Sequence, residues 1–318
     1  MTEEVYLGVD TSCYTTSVLF MDRQGNGIAE ARRVLRVKPG GCGLQQSEML
    51  YQHIRNLPEL LEEALQGHSF SLRGIGVSAR PRPRTDSYMP AFLAGFGFAR
   101  SLAALNRIPV WQISHQENHL EAALWSAGGP DSDRFFFLHA SGGTTDLLIA
   151  EKTEKGYKLS EIGSSLDLHA GQFVDRVGVA LGLPFPAGPA LEKLAEEADK
   201  VMEIPVSVHK TQVSFSGPCT AVIRRIKAGD VPPAVIAASV QWGLAETFLR
   251  MIRNAAAEHN VKQVILAGGV SSNLWIRKHM ETKLAKRNIR IWVPESRYSG
   301  DNAAGCAAYA YRQGERHG

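Results

Sequence analysis

Two histidines four residues apart are the first residues in this chain whose types and spacing suit chemistry. His115 and His119 lie in Ser114-His115-Gln116-Glu117-Asn118-His119. Ser114 and Glu117 have the spacing of a capping box, which predicts a helix beginning at this point. The histidines are then i and i+4 on one face. The partial positive charge of a helix N-terminus disfavours imidazolium, which leaves both rings in the neutral form that ligates metal. A solvated helix face accounts for the pair equally well on local sequence. A zinc peptidase motif, HExxH, sets its glutamate about 100° around the helix from the first histidine. Glu117 is about 200° from each, so capping suits it better than a general base and the spacing argues against a metalloprotease. A third ligand is needed, and Asp301, in Ser299-Gly300-Asp301-Asn302-Ala303-Ala304, is the best candidate. Its competing role is to cap the small-residue helix that follows. Two imidazoles and one carboxylate suit iron, zinc or manganese.

The second chemical feature is a repeat. Leu7 to Phe20, LGVDTSCYTTSVLF, lies over Phe136 to Ile149, FFLHASGGTTDLLI, at an offset of 129 residues, with Ser12, Thr15 and Thr16 on Ser141, Thr144 and Thr145. Each copy is an apolar strand, a turn of small and hydroxyl residues, and a second apolar strand, the pattern of a β-hairpin. Backbone N–H groups in such turns form concave donor arrays that hold phosphate oxygens, although glycine and hydroxyl residues are also what ordinary hairpin turns contain. A third segment, Val261 to Trp275, runs a buried strand through Ala267-Gly268-Gly269 into a helix starting near Asn273. Small residues at that junction leave room for a nucleobase or ribose, and GxGxxG spacing is absent, so a dinucleotide fingerprint is not supported.

The elements that must position these residues alternate. Strands are expected near residues 5–9, 17–21, 74–78, 109–113, 135–139, 146–150, 263–267 and 290–293. Helices are expected near 47–65, 90–106, 171–181, 189–197, 218–227, 233–259 and 273–287, which makes the chain α/β. Its 318 residues predict two lobes at roughly 150 residues per domain. The lobes expected are 1–114 plus 301–318, and 115–300 with helical insertions, with nucleotide and metal in the cleft. A hydrophobic content of 44% with 21% charged residues is ordinary for a globular protein. The longest uncharged stretches, Ser87 to Ala99 and Val231 to Ala245, are shorter than the roughly 20 apolar residues a bilayer requires. Cys13, Cys42, Cys219 and Cys306 show no paired spacing, so a cytoplasmic protein with reduced thiols and no membrane partner is expected. A net charge of +3 permits nucleic-acid binding without predicting it. Arg80, Arg82 and Arg84, stiffened by alternating prolines, offer either a contact for RNA phosphates or an ordinary solvated loop.

Taken in order, LGVDTSC at 7–13, the HxExH of His115 to His119, ASGGTTDLL at 140–148, AGQFVDRVGVALGLPFPAG at 170–188, SFSG at 214–217, AGGVSSN at 267–273 and GDNAA at 300–304 make the chain resemble the TsaD family, once called glycoproteases. The resemblance spans essentially the whole chain. It implies the two-lobed actin-like ATPase (ribonuclease H-like) fold shared with actin, the sugar kinases and the Hsp70 nucleotide domain. It implies one divalent metal (iron or zinc, with manganese or magnesium as alternatives) on His115, His119 and Asp301. It also implies an adenine nucleotide, ATP or threonylcarbamoyl-AMP, contacted by Thr11, Ser12, His139, Ala140, Ser141, Gly142, Gly143, Asp175, Gly188 and Asn273. The family transfers threonylcarbamoyl from threonylcarbamoyl-AMP to an adenosine of tRNA, which makes tRNA the expected acceptor and a TsaB-like protein or a second copy an expected partner. The chain departs from the family where two acidic residues follow the first SC. Tyr14 and Thr15 stand there and leave only hydroxyls to orient a nucleophile as the catalytic pair. The SGGHT turn reads SGGTT, the acidic positions near 170 are Leu168 and Gln172, a lysine becomes Arg176, and another is replaced near Pro218-Cys219. Two other readings therefore stay open. One is a divergent paralogue that binds nucleotide and metal but serves another acceptor or a regulatory role. The other is a sugar-kinase-like phosphotransferase, less favoured because no aspartate base is evident for an acceptor hydroxyl.

Overall fold

The computed structural model describes residues 2–37 and 44–317. The chain divides into two compact units, one comprising Met1–Gly128, Glu154–Gly156 and Asp301–Gly318, the other Gly129–Thr153 and Tyr157–Gly300. The first unit opens with β1 (Glu3–Asp10), β2 (Thr15–Asp22) and β3 (Gly27–Val34), continues through α1 (Gln46–Ala64), β4 (Phe70–Arg80), α2 (Phe92–Asn106) and β5 (Val110–Ser114), and enters α3 (His115–Ala127) without an intervening loop. Its sheet order is β3-β2-β1-β4-β5, antiparallel across β3, β2 and β1 and parallel from β1 to β5. Val5, Leu7, Val9, Ile75 and Val77 form the apolar centre of that sheet, with Leu57 and Leu60 of α1 packed on it.

The second unit repeats the plan. β6 (Arg134–Ala140), β7 (Thr145–Thr153) and β8 (Gly156–Ser164) are followed by α4 (Ala170–Ala180), α5 (Gly188–Ala195), the short hairpin β9 (Ser207–His209) and β10 (Gln212–Ser214), then α6 (Ser216–Ala228), α7 (Pro233–His259), β11 (Gln263–Ala267), α8 (Leu274–Ala285) and β12 (Arg290–Trp292). The sheet order is β12-β11-β6-β7-β8, the same connectivity as the first sheet. Even the register repeats. Val9 faces Val18 and Asp10 faces Ser17, while Leu138 faces Leu147 and His139 faces Asp146, the same positions 129 residues on. The stripe Ile236, Val240, Leu244 and Phe248 of α7 is buried in this unit's core. The chain closes on α9 (Ala304–His317), which belongs to the first unit.

β3 and β8 go unmarked by hydrophobic pattern because both end the strand order of their sheets and carry charged residues among half-exposed positions. None of the described helices is long and apolar enough to cross a membrane. Cys13, Cys219 and Cys306 are free thiols, whereas Cys42 lies outside the described residues.

Candidate functional site

In the first unit, the capping box forms as the spacing predicts. Glu117 N–H donates to Ser114 Oγ at 3.1 Å, and the Ser114 N–H donates to Glu117 Oε2 at 2.7 Å. This fixes the first turn of α3 and commits Glu117 to backbone work. His115 and His119 then meet edge to face, with their Nε2 atoms 3.2 Å apart. Asp301 Oδ1 lies 3.6 Å from His115 Nε2 and 3.4 Å from His119 Nε2. Ligand atoms at about 2.0–2.2 Å from a zinc-like ion in tetrahedral array are separated by roughly 3.3–3.6 Å, so the three donors fit a single divalent ion. Burial lowers the pKa of both imidazoles and favours the neutral form that such an ion requires. Burial works against ionisation of Asp301, but the hydrogen bonds from His119 and the Tyr14 backbone hold its pKa below the ordinary range.

Asp301 is available because it does not cap the helix that follows. Asn302 does so, its Oδ1 accepting from the Ala304 N–H at 2.8 Å. α9 is in turn clasped to α3 by Asn118, whose Nδ2 donates to the Asn302 carbonyl at 2.7 Å and whose Oδ1 accepts from the Cys306 N–H at 2.8 Å. The Arg312 guanidinium on Glu121 adds a partly buried ion pair between the same helices at 2.7 Å. Contact is so close that a Cβ on Gly305 would stand 1.9 Å from the Asn118 carbonyl oxygen. The histidine pair and the distant aspartate are thus registered by backbone, not by loop placement.

One acidic residue of this site escapes a motif-level reading. Asp10, at the end of β1, is fully buried, and burial together with the charge of Asp301 pushes its pKa up to about 7. Ser12 Oγ donates to Asp10 Oδ2 at 2.7 Å, and Ser78 Oγ donates to Oδ1. An aspartate ending an apolar strand was the available signal. Thr11 is buried with its hydroxyl engaged by α2, donating to the Ala91 carbonyl at 3.1 Å and accepting from the Gly95 N–H at 3.0 Å. Tyr14 packs beside the small apolar cluster of Leu35, Met49 and Ala91, and Thr15 begins β2 opposite Val34. In the arginine loop, Arg84 pairs with Asp86 at 2.8 Å and Ser87 Oγ accepts from the Arg82 N–H at 3.0 Å.

In the second unit, Gly142, Asp175, Gly188 and Asn273 converge on one cavity of about 290 Å³, with Gln241, Glu192 and Ser272 also in its wall. The turn after β6 is closed by the Ser141 N–H donating to the Thr144 carbonyl at 2.8 Å, which leaves Gly142 and Gly143 exposed. A Cβ on Gly171 would stand 2.6 Å from the Gly142 nitrogen, so α4 lies directly under that turn. Gly268, at φ +93°, makes an equally close approach, 2.2 Å from the Ala140 carbonyl oxygen for a built Cβ. His139 and Ala140 are buried at the end of β6, where the His139 ring is stacked on Phe137. Asp175 Oδ1 accepts from the Ala187 N–H at 2.8 Å, tying α4 to the chain entering α5, and burial raises its pKa. Asn273 caps α8 through the Ile276 N–H at 2.8 Å and donates to Gln241 Oε1 at 2.5 Å. Gln241 interrupts an apolar helix stripe, and that interruption is the sequence signal for its role.

A family model described as TsaD, tRNA N6-adenosine threonylcarbamoyltransferase, matches residues 37–308. The tRNA N6-adenosine threonylcarbamoyltransferase of Prochlorococcus marinus strain MIT 9215 is 31% identical, with 96% of this chain and 89% of that protein covered. The Methanopyrus kandleri protein of the same description is 33% identical over 84% of this chain and 76% of its own length. Among solved structures, (R)-2-hydroxyglutaryl-CoA dehydratase component A of Acidaminococcus fermentans superposes with a TM-score of 0.56 at 18% identity, covering 98% of this chain and 99% of that one. A ROK family glucokinase from Streptomyces griseus, solved with glucose and AMPPNP, gives 0.53 at 13% identity, covering 97% and 99%. These likenesses establish the architecture as the actin-like ATPase fold.

Proposed function

From the premise that this chain belongs to the TsaD family, the tRNA N6-adenosine threonylcarbamoyltransferases, we propose that it is an acyl transferase carrying threonylcarbamoyl from threonylcarbamoyl-AMP to an adenosine of tRNA. The observation that carries the reading is the convergence of Gly142, Asp175, Gly188 and Asn273 on one cavity of the second unit; the first unit separately holds a metal-ligand set of two histidines and an aspartate. The cavity takes the adenosine portion. Its walls are largely apolar, with Val174, Leu191, Leu244 and Ile276 for the base and Asp175, Gln241, Glu192 and Asn273 for polar edges. In the transfer, the adenosine N6 forms a bond to the carbamoyl carbon, the carbon–oxygen bond to phosphate breaks, AMP leaves, and the N6 proton passes to a base. His115, His119 and Asp301 would hold a divalent ion, which supplies Lewis-acid stabilisation of the developing phosphate charge. The Ser141 to Gly143 turn supplies backbone donors for anionic oxygens.

Tyr14 favours a second reading. Where the family carries acidic residues, this chain seats Tyr14 against Leu35, Met49 and Ala91 and leaves Thr15 as a buried hydroxyl at the head of β2. A paralogue that retains nucleotide and metal while acting on another acceptor, or regulating a partner, suits that change. A transfer assay with threonylcarbamoyl-AMP and unmodified tRNA separates the two. Modified adenosine whose formation is lost in His119→Ala is expected on the first reading. Metal and nucleotide binding without product sinks it and leaves the second.

A further inference from the structure

α7 and α8 of the second unit border a groove of about 690 Å³ whose lining includes Arg253, Lys262, Lys283, Lys286 and Arg287. All five are exposed. None pairs with a carboxylate within 4 Å among the described residues. The lining holds one acid, Glu246, and its Oε1 is engaged at 2.9 Å by His279 Nε2. Leu249, Ala256, Ala257 and Ile289 make up the apolar remainder. Lys283 lies in the last turn of α8, Lys286 is its C-cap and Arg287 follows directly, and all three line the groove.

Cations near a helix C-terminus complement its dipole, which accounts for Lys283 and Lys286. It does not account for Arg253 on α7 or Lys262 ahead of β11, which come from other elements to the same groove. Five cations gathered around a single acid repel one another and destabilise the fold slightly, and a polyanion relieves that repulsion. A groove of the first unit shows the contrast. Its lining arginine Arg33 is neutralised by Glu59 and Glu63, and Arg55 lies over the Tyr51 ring.

We propose that the α7–α8 groove is a docking site for the phosphate backbone of RNA, reading charge and not sequence. The choice of RNA among polyanions rests on the acceptor proposed above; the groove itself rests on the five unpaired cations. Neutralising phosphates releases condensed counterions, so affinity falls with salt in proportion to the number of contacts.

The test uses the full chain, unmodified tRNA and oligo(U) of matched length, with binding followed by fluorescence anisotropy across a salt series. The triple variant Lys283→Gln, Lys286→Gln, Arg287→Gln is compared with Lys158→Gln, Arg224→Gln, Lys227→Gln, which removes equal charge elsewhere on the second unit. The groove variant is expected to lose affinity for both RNAs on the order of 100-fold at 0.1 M salt and to reduce the logarithmic salt slope by about two to three. The control is expected to keep both, and unchanged adenine-nucleotide binding shows that the groove variant is folded. Equal losses in the two variants overturn the proposal. So does groove-dependent binding of phosphatidylserine vesicles without RNA binding, which assigns the surface to a membrane. Groove-dependent RNA binding with no threonylcarbamoyl transfer sustains the groove while removing the proposed reaction.

Discussion

His53 is buried in α1 with its Nδ1 2.8 Å from Thr16 Oγ1, and Asn56 Nδ2 donates to that same oxygen at 3.2 Å. Burial lowers its pKa to about 4, against weaker opposing contributions from the Cys13 backbone and the charge of Asp301. The unfolded chain therefore binds a proton at His53 near pH 6.5 that the folded chain refuses until about pH 4. Stability from this residue is complete above the unfolded value and is lost as the pH falls toward the folded one. Between pH 8 and pH 5 the loss is about 2 kcal/mol. Asp10 has the opposite sign, because its pKa of about 7 makes the folded state the better proton acceptor over the acid range. His53→Gln leaves Asp10 in place and isolates the histidine. Denaturant unfolding at the two pH values should show a smaller acid loss in the variant by about that amount, and identical losses would dismiss His53 as an acid-labile point.

At the scale of elements, the first unit depends on how closely α9 lies on its sheet. A Cβ at Gly76 of β4 would stand 2.0 Å from the Cys306 carbonyl oxygen, a backbone atom that cannot turn aside. Gly76→Ala should destabilise the protein by roughly 2–4 kcal/mol through overpacking. Gly97 in α2 is exposed with nothing within 4 Å of a built Cβ, so Gly97→Ala should stabilise by about 0.5–1 kcal/mol. Thermal melts of the two variants should move in opposite directions, and a neutral Gly76→Ala would mean that α9 can shift. The elements legible in the sequence were those whose signals are local. The hairpin turns, the Ser114 capping box and the Gly268 junction each depend on residues within a few positions. The 129-residue repeat extended that reach, because it predicted equivalent hairpins whose registers do correspond. The short β9–β10 hairpin was not legible: its strands have three residues each and turn through Lys210 at φ 54°. The role of Asp301 was only half legible, since nothing near it announces that Asn302 would take the capping position. Gln241 and Asp10 lay hidden for the same reason: a single polar residue in an apolar element shows its purpose only when its neighbours in space are known.

At the scale of the whole molecule, two cores rather than one must close. One gathers around Phe136, Phe173 and Phe248, the other around Leu7, Phe20 and Val77. A ligand that binds only the folded state adds stability by mass action, roughly 4 kcal/mol at a thousandfold excess over its dissociation constant. If His115, His119 and Asp301 hold a metal, chelation should lower the melting temperature of the wild type and leave His119→Ala unmoved. An equal response in both would place the ion elsewhere. The order in which the ligands leave the ribosome follows from the clasp of Asn118 on Asn302 and Cys306. His115 and His119 are synthesised with their helix, but Asp301 and α9 follow only after the whole second unit has been made. At about 5–20 residues per second, that is a wait of roughly ten to forty seconds, during which the sheet face that α9 covers stays bare. Nascent chains should be most vulnerable to aggregation and to holding by chaperones in that interval, and metal loading would mark its end.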